Sequence, residues 1–465
     1  MKLFERCDDI SDAKDIKHLG GMKMGERYSV ADRMERLPVT GYHRFVIAMI
    51  YVCWACTSMN MTGTNFTLPL VIQHFSFTNL EGGYFSSAAF AGMLVGSIVS
   101  GVLADRLGRK KVAAALIAVW GIGSVATGFM DSLTGLLACR VIAGIGMGAM
   151  TPILVAYISE IIPTKKRAQY VTSYMMFGAC GVVLACFITM FFANNIGWRA
   201  VYWLEGAFGL SFLLMLFFVP ESAMWLESKG RTEEADKVVD MWEEKVKQRL
   251  NGAELPEVVV IPREKTAKGK LSDLFTKKYA KIIIVGFVWF FCCMACDFGL
   301  NAWITSLLMS KGFDVIRSVA FSALGQIGAI PAMMITTWIA NHVGRRWAVF
   351  VGACMAAVFA FIYGLATTLV AVAILSILWQ TGRGVLSHAS TMYLPELFET
   401  SLRSTGNGLL LAFGRIGGIA GPIILAAAMT AFGSTGAFIT AAALALICGT
   451  VVVVFLPETK GKALN

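Results

Sequence analysis

Twelve apolar stretches, each long enough to cross a lipid bilayer, constrain this chain more than any other feature. They cover residues 44–73, 83–103, 112–131, 133–160, 167–193, 199–219, 280–309, 316–340, 346–367, 369–397, 403–432 and 434–456. At about 1.5 Å per residue, about 20 apolar residues traverse a hydrocarbon core of ~30 Å. The longer stretches predict tilt, or ends that leave the bilayer. All must be helices, because a lipid-facing backbone has to satisfy its own hydrogen bonds. Hydrophobic residues make up 57% of the chain and charged residues 15%, where a soluble chain carries roughly a quarter charged. A soluble enzyme is excluded, and a disordered or collagen-like chain with it.

The charges are bunched outside these stretches, chiefly in residues 1–37 and 221–281. The knots Arg106/Arg109/Lys110/Lys111, Lys165/Lys166/Arg167, Arg345/Arg346 and Lys460/Lys462 all fall on one side of the zigzag. Opposite loops, at 73–83, 130–133 and 432–436, are nearly free of Lys and Arg. Basic loops stay in the cytosol, so both termini are expected there. The excess of 40 Lys+Arg over 30 Asp+Glu is therefore read as topology, with no nucleic-acid partner. Residues 1–37 lack an apolar run and are no signal peptide. All eleven cysteines except Cys7 sit within apolar stretches. Cys292, Cys293 and Cys296 have no second cluster or histidine nearby, which favours packing over a metal.

An internal repeat organises the chain. Gly101-Val-Leu-Ala-Asp105-Arg-Leu-Gly-Arg109-Lys-Lys111 returns, degraded, as Thr337-Trp-Ile-Ala-Asn341-His-Val-Gly-Arg345-Arg-Trp347, 236 residues later. Tyr157, Glu160 and Arg167 return at the same offset as Tyr393, Glu396 and Arg403. Pro220-Glu221-Ser222 matches Pro457-Glu458-Thr459 within one residue. The predicted architecture is an all-α membrane protein of twelve transmembrane helices in two parallel six-helix halves. Its expected parts are a cytosolic segment 1–43, halves at 44–220 and 280–457, a linker with amphipathic helices at 221–279, and a tail at 458–465. Parallel six-helix repeats are a transporter architecture, with substrate bound near the midplane between the halves.

The segment Gly101 to Lys111 resembles the loop signature between helices 2 and 3 of the major facilitator superfamily. Arg140-Val-Ile-Ala-Gly144-Ile-Gly146-Met-Gly148 resembles its helix 4 motif. The segments that start at Pro220-Glu221-Ser222 and Pro457-Glu458-Thr459 resemble helix ends of the sugar-porter-like branch. Arg36-Leu-Pro38-Val-Thr-Gly-Tyr42-His43 and Gly414-Arg415-Ile-Gly417-Gly418 resemble the metabolite–proton and aromatic-acid–proton symporters, nicotinate transporters among them. The resemblance implies a secondary transporter of the inner (plasma) membrane, needing no cofactor and working as a monomer by alternating access. One departure stands out. Those symporters carry two aspartates in helix 1, about nine and twelve residues before its proline. Counting back from Pro69 gives Asn60 and Thr57, which take no proton.

Charges deep in a membrane are functional candidates by default. Arg140 and Glu205 lie roughly 10 Å inside the outer face at helical rise, where they are expected to neutralise each other as a structural or gating pair. Asp297, Arg383 and Arg415 lie about 18–25 Å into their helices. One acid and two bases leave a surplus positive charge, and Arg forks match carboxylates in bidentate geometry. The alternative is that Asp297 bridges both arginines, or that Arg415 bonds helix-end carbonyls and belongs to the gate. Asp297 is the expected proton carrier, because burial and a nearby Arg act on its carboxyl in opposite directions.

Neutral groups at similar depth extend the expected substrate site: Asn60, Asn65, Asn301, Trp303, Gln326 and Gln380, with Arg383. Gln380 and Arg383, three apart, share a helix face. Each amide otherwise ties helices together, and Trp303 otherwise packs. On the cytosolic side, Asp105 is placed to reach a helix N-terminus or Arg167, and Arg109 to pair with Glu160. Such pairs are individually weak, which suits a latch. Gly144, Gly146 and Gly148 sit inside an apolar helix and predict close packing, with no nucleotide loop. The functional expectation is transport of a small organic anion, such as the aromatic monocarboxylate nicotinate, with protons. A sugar or other neutral cargo on the same fold, and a transport-inactive ligand sensor, are the alternatives.

Overall fold

The computed structural model describes residues 28–193, 195–216, 218–250, 254–258, 271–399 and 401–460. Cys7, Lys462, most of the expected segment 1–43 and part of the linker lie outside them. Among the described residues every regular element is helical.

A short helix α1 (Val30–Glu35) precedes α2 (Gly41–Phe75), α3 (Asn79–Leu107), α4 (Arg109–Thr127), α5 (Leu133–Ile161), α6 (Thr164–Ile188, ending in a π turn) and α7 (Trp198–Met215). The linker contributes α8 (Ala223–Ser228) and α9 (Thr232–Arg249). Then come α10 (Lys277–Ser310), α11 (Val315–Gly325), α12 (Ala329–His342), α13 (Arg345–Leu365), α14 (Leu369–Tyr393) and α15 (Arg403–Phe455). All twelve apolar stretches fall on helix. Ten helices among the described residues are long and apolar enough to span a membrane.

Two boundaries differ from the sequence expectation. The eighth stretch is broken by a 3-10 turn at Gln326–Gly328, between α11 and α12. The last two stretches run together as α15, whose 53 residues would extend about 80 Å if straight, far more than a bilayer. The chain therefore turns at Gly433, where φ is +69° and an L side chain would be strained.

The repeat is visible in contacts as well as in letters. Arg109 bonds Glu160 in the first half (3.2 Å) and Arg345 bonds Glu396 in the second (3.2 Å). The Tyr157 hydroxyl donates to the Pro220 carbonyl at 2.7 Å, and the Tyr393 hydroxyl donates to the Pro457 carbonyl. Gly108 and Gly344 cap α4 and α13 with φ of +105° and +146°. A Cβ there would lie 2.5 Å from a Glu221 carboxylate oxygen and 2.3 Å from one of Glu458. The glycine between the loop's charges is thus required twice, by backbone conformation and by a carboxylate seated against it.

Side chains bury into two clusters, one drawn mainly from residues 30–246 and the other mainly from 274–456. Glycines let helices within each half approach closely. A Cβ on Gly144 of α5 would sit 2.2 Å from the Ala89 carbonyl oxygen of α3, and one on Gly92 of α3 would sit 2.1 Å from that of Val141. The second half does the same between α10 and α15, at Gly417 against Phe291 (2.2 Å).

Candidate functional site

A cavity of about 250 Å³ lies between α2, α3 and α6 of the first half and α10, α11 and α14 of the second. Asn65, Asp297, Asn301, Gln326, Gln380 and Arg383 line it. Its apolar wall includes Phe90 and Phe298, whose rings face each other across the halves at 4.6 Å.

The polar wall is a closed ring of four side chains. Arg383 of α14 pairs through Nη1 with the Asp297 carboxylate of α10, and its Nε donates to Gln380. The Gln380 amide donates to the Asn301 Oδ1 at 3.2 Å, and the Asn301 amide donates to the Asp297 Oδ1 at 3.0 Å. Helical spacing makes this possible: Asp297 and Asn301 are one turn apart, as are Gln380 and Arg383. Half of Arg383's fork is committed to Asp297, and the group still reaches the cavity at 22% exposure.

Other expected residues sit elsewhere. Asn60 is fully buried inside the first half, donating to Ser124 (2.8 Å) and accepting from Arg140 (3.1 Å). Trp303 lies against Gly82 and donates to the Pro422 carbonyl (2.9 Å), at the contact between halves. Arg140 and Glu205 form no ion pair. Arg140 instead bonds Asn60 and Thr64 (2.5 Å) and lies over the Tyr202 ring, because those acceptors are within its reach on α2. Glu205 is buried against Gly63, and among the described residues neither of its carboxylate oxygens has a hydrogen-bond donor. Asp297 does not bridge two arginines: among the described residues Arg415 has neither an ion-pair nor a hydrogen-bond partner, helix-end carbonyls included.

The charge cluster around Arg109 also differs from the expectation in one partner. Arg109 bonds both Asp105 (2.6 Å) and Glu160, so Asp105 is engaged one helical turn away and does not reach Arg167. Among the described residues the buried Arg167 Nε has no hydrogen-bond partner.

The halves touch at the end of the bundle away from these charges. The Ser87 hydroxyl of α3 donates to the Ile419 carbonyl of α15 at 2.6 Å. A Cβ on Gly83 would meet Ala426 and the backbone of Pro422 at 3.0–3.1 Å. Two pseudo-symmetric halves around a polar cavity, closed at one end, match a known architecture over most of the chain. The sequence profile of the Major Facilitator Superfamily matches residues 50–422 and again 340–465. The chain belongs to the Major Facilitator Superfamily.

Relatives of this major facilitator include the niacin transporter NiaP of Acinetobacter baylyi, 28% identical over 94% of this chain and 99% of that one. The 4-hydroxybenzoate transporter PcaK of the same species is 26% identical over 83% and 84%. Among solved structures, the partially occluded inward-open xylose transporter XylE from E. coli superposes with a TM-score of 0.66 at 18% identity, covering 91% and 100%. This likeness carries the fold alone. The protein is a multi-pass membrane transporter of small molecules and not an enzyme.

Sequence reasoning missed several groups that this major facilitator uses structurally. Lys311 caps α13 from the end of α10, donating to the carbonyls of Tyr363, Gly364 and Ala366. Arg33 of α1 binds Asp236, Asp240 and Glu243 of α9, and Glu35 caps α6 at Thr164 (2.8 Å). The acids' spacing of four and three along α9 was a legible signal of one charged face; its partner in α1 was not.

Proposed function

We propose that the protein moves a small aromatic monocarboxylate, of which nicotinate is the model, across the inner membrane by alternating access with proton coupling. The observation that carries this reading is the Asp297–Arg383 pair in the cavity wall. A carboxylate entering beside Arg383 competes with Asp297 for the guanidinium fork, and the displaced carboxylate is then free to take a proton. Substrate and proton fluxes are thereby tied through one arginine. Asn65, Asn301, Gln326 and Gln380 supply neutral hydrogen bonds to the rest of the ligand. Relatives named for niacin and 4-hydroxybenzoate support the cargo class. The basic knots favour a cytosolic side for both termini, and in that orientation closure at the Ser87–Ile419 end corresponds to an inward-facing form.

A second reading has an observation behind it. With Arg383 neutralised by Asp297, the amides alone could hold a sugar or another neutral metabolite. Uptake of labelled nicotinate into proteoliposomes under an imposed pH gradient separates the two. Gradient-driven uptake that Asp297→Asn abolishes is the expected result. Uptake of a neutral sugar with no response to nicotinate would overturn it, and normal pH-driven uptake by Asp297→Asn would remove the proton role.

A further inference from the structure

We infer that Trp379 and Tyr363 form a second polar subsite at the deep end of the cavity, which selects aromatic carboxylates that carry a hydrogen-bond acceptor on the ring away from the carboxylate. This inference deepens the anion reading above and rests on it. Both side chains line the cavity, and both are almost wholly buried, at 0% and 1% exposure. Among the described residues neither the Trp379 Nε1 nor the Tyr363 hydroxyl has a hydrogen-bond partner. Buried polar groups are nearly always paired, and an indole N–H can only donate. Two donors that the protein leaves unmet beside one cavity mark where an occupant supplies the acceptor.

Helical register places this subsite relative to Arg383. Ser376, Trp379, Gln380 and Arg383 follow one another at helical spacing on α14, and all four line the cavity. Trp379 and Arg383 are four residues apart, about 6 Å along the helix axis, a span of the order of one substituted aromatic ring. Tyr363 comes from α13, two residues before that helix ends at Leu365. The opposite end of α13 begins at Arg345, beside Glu396, so Tyr363 belongs to the end of the bundle where the halves close. Helix α14 starts from that same end at Leu369, which puts Trp379 deeper than Arg383 when the cavity is approached from its open side. The hydroxyls beside them are already engaged: Ser376 donates to the Ala373 carbonyl (2.8 Å) and Ser322 to the Ser318 carbonyl (2.9 Å).

The donor set names the ligand chemistry. A carboxylate held at Arg383 directs its ring along the stripe toward Trp379. A ring nitrogen, as in a pyridine carboxylate, then accepts from the indole N–H or the phenol. Plain benzoate fills the same space and leaves both donors unmet. A site built to hydrogen-bond its ligand rejects the analogue that lacks the partner atom, because its own buried groups stay unpaired.

The test uses full-length protein in detergent, with affinities for nicotinate and benzoate read from melting-temperature shifts. Wild type, Tyr363→Phe and Trp379→Phe are compared. Wild type is expected to prefer nicotinate about tenfold, and each variant should bring the ratio of the two affinities towards one. Tyr363→Phe should melt no lower than wild type without ligand, because its hydroxyl has no protein partner to lose. That variant decides the matter if Trp379→Phe, which also removes volume from a fully buried position, folds poorly. Equal affinity of wild type for the two acids would overturn the inference and leave the anion reading standing. So would a ratio that Tyr363→Phe leaves unchanged, whether both affinities hold or both fall together as a merely structural role requires. If neither acid raises the melting temperature of wild type, the anion reading itself falls, and the inference with it.

Discussion

At the residue scale, the ring in the cavity wall is held together by charge. Replacing Asp297 by Asn keeps the shape but leaves Arg383 without its counter-charge, and breaking a buried pair in this way costs on the order of 3 kcal/mol. The double replacement Asp297→Asn with Arg383→Gln is expected to regain more than half of that loss, because no charge is stranded. A double-mutant cycle on melting temperature or denaturant midpoint checks both values. Lys311 offers a contrasting case, in which one ammonium satisfies three helix-end carbonyls. Lys311→Met should cost about 2 kcal/mol, since charged hydrogen bonds are lost and buried acceptors are left unmet. Lys311→Arg should recover part of it.

At the element scale, helix pairs are set by glycines that face backbone. Gly144→Val would drive its side chain into the Ala89 carbonyl 2.2 Å from the new Cβ, so α3 and α5 must part along their length. Loss of folded protein on size-exclusion chromatography is the expected outcome. Gly101→Ala is the control: no atom lies within 4 Å of its Cβ, and the change should fall within about 0.5 kcal/mol of neutral. The same letter thus serves packing at Gly144 in the Arg140–Gly148 motif and makes no contact at Gly101 in the loop motif.

At the whole-molecule scale, α1 ties α6 of the first half to α8 and α9 of the linker. Arg33 and Arg36 reach α9, Val30 donates to Glu227 before it, and Glu35 caps α6. Burial pushes the Glu243 carboxyl up, but hydrogen bonds and charge from Arg33 and Arg36 outweigh it and hold the group below its ordinary value. A depressed carboxyl contributes stability that is present above the unfolded value of about 4.3 and lost as pH falls through the folded one. Protease cleavage within residues 28–40 should therefore accelerate below about pH 4. Arg33→Ala with Arg36→Ala should give fast cleavage already at neutral pH and little further change on acidification. An unchanged pH profile in that variant would show that the strap is held by Val30, Met34 and Leu37 instead.

Sequence alone determined the membrane class, the helical character of the apolar spans, the repeat, and the group of deep polar residues from which the candidate site is drawn. Those follow from hydrophobic length and the expense of buried charge, which act locally along the chain. Asn65, Asn301, Gln326, Gln380, Asp297 and Arg383 were legible for that reason. Tertiary structure decided which of them meet. Asn60 and Trp303 have the same depth and polarity as the cavity residues, but helix rotation turns one toward Arg140 and the other toward Pro422. Arg140 chose hydroxyl and amide acceptors on α2 over Glu205, and Asp297 took one arginine of two. Depth can be counted from residue numbers at 1.5 Å per residue. The direction a side chain faces depends on how each helix is rotated against its neighbours, which here is set by glycine contacts between segments far apart in the chain.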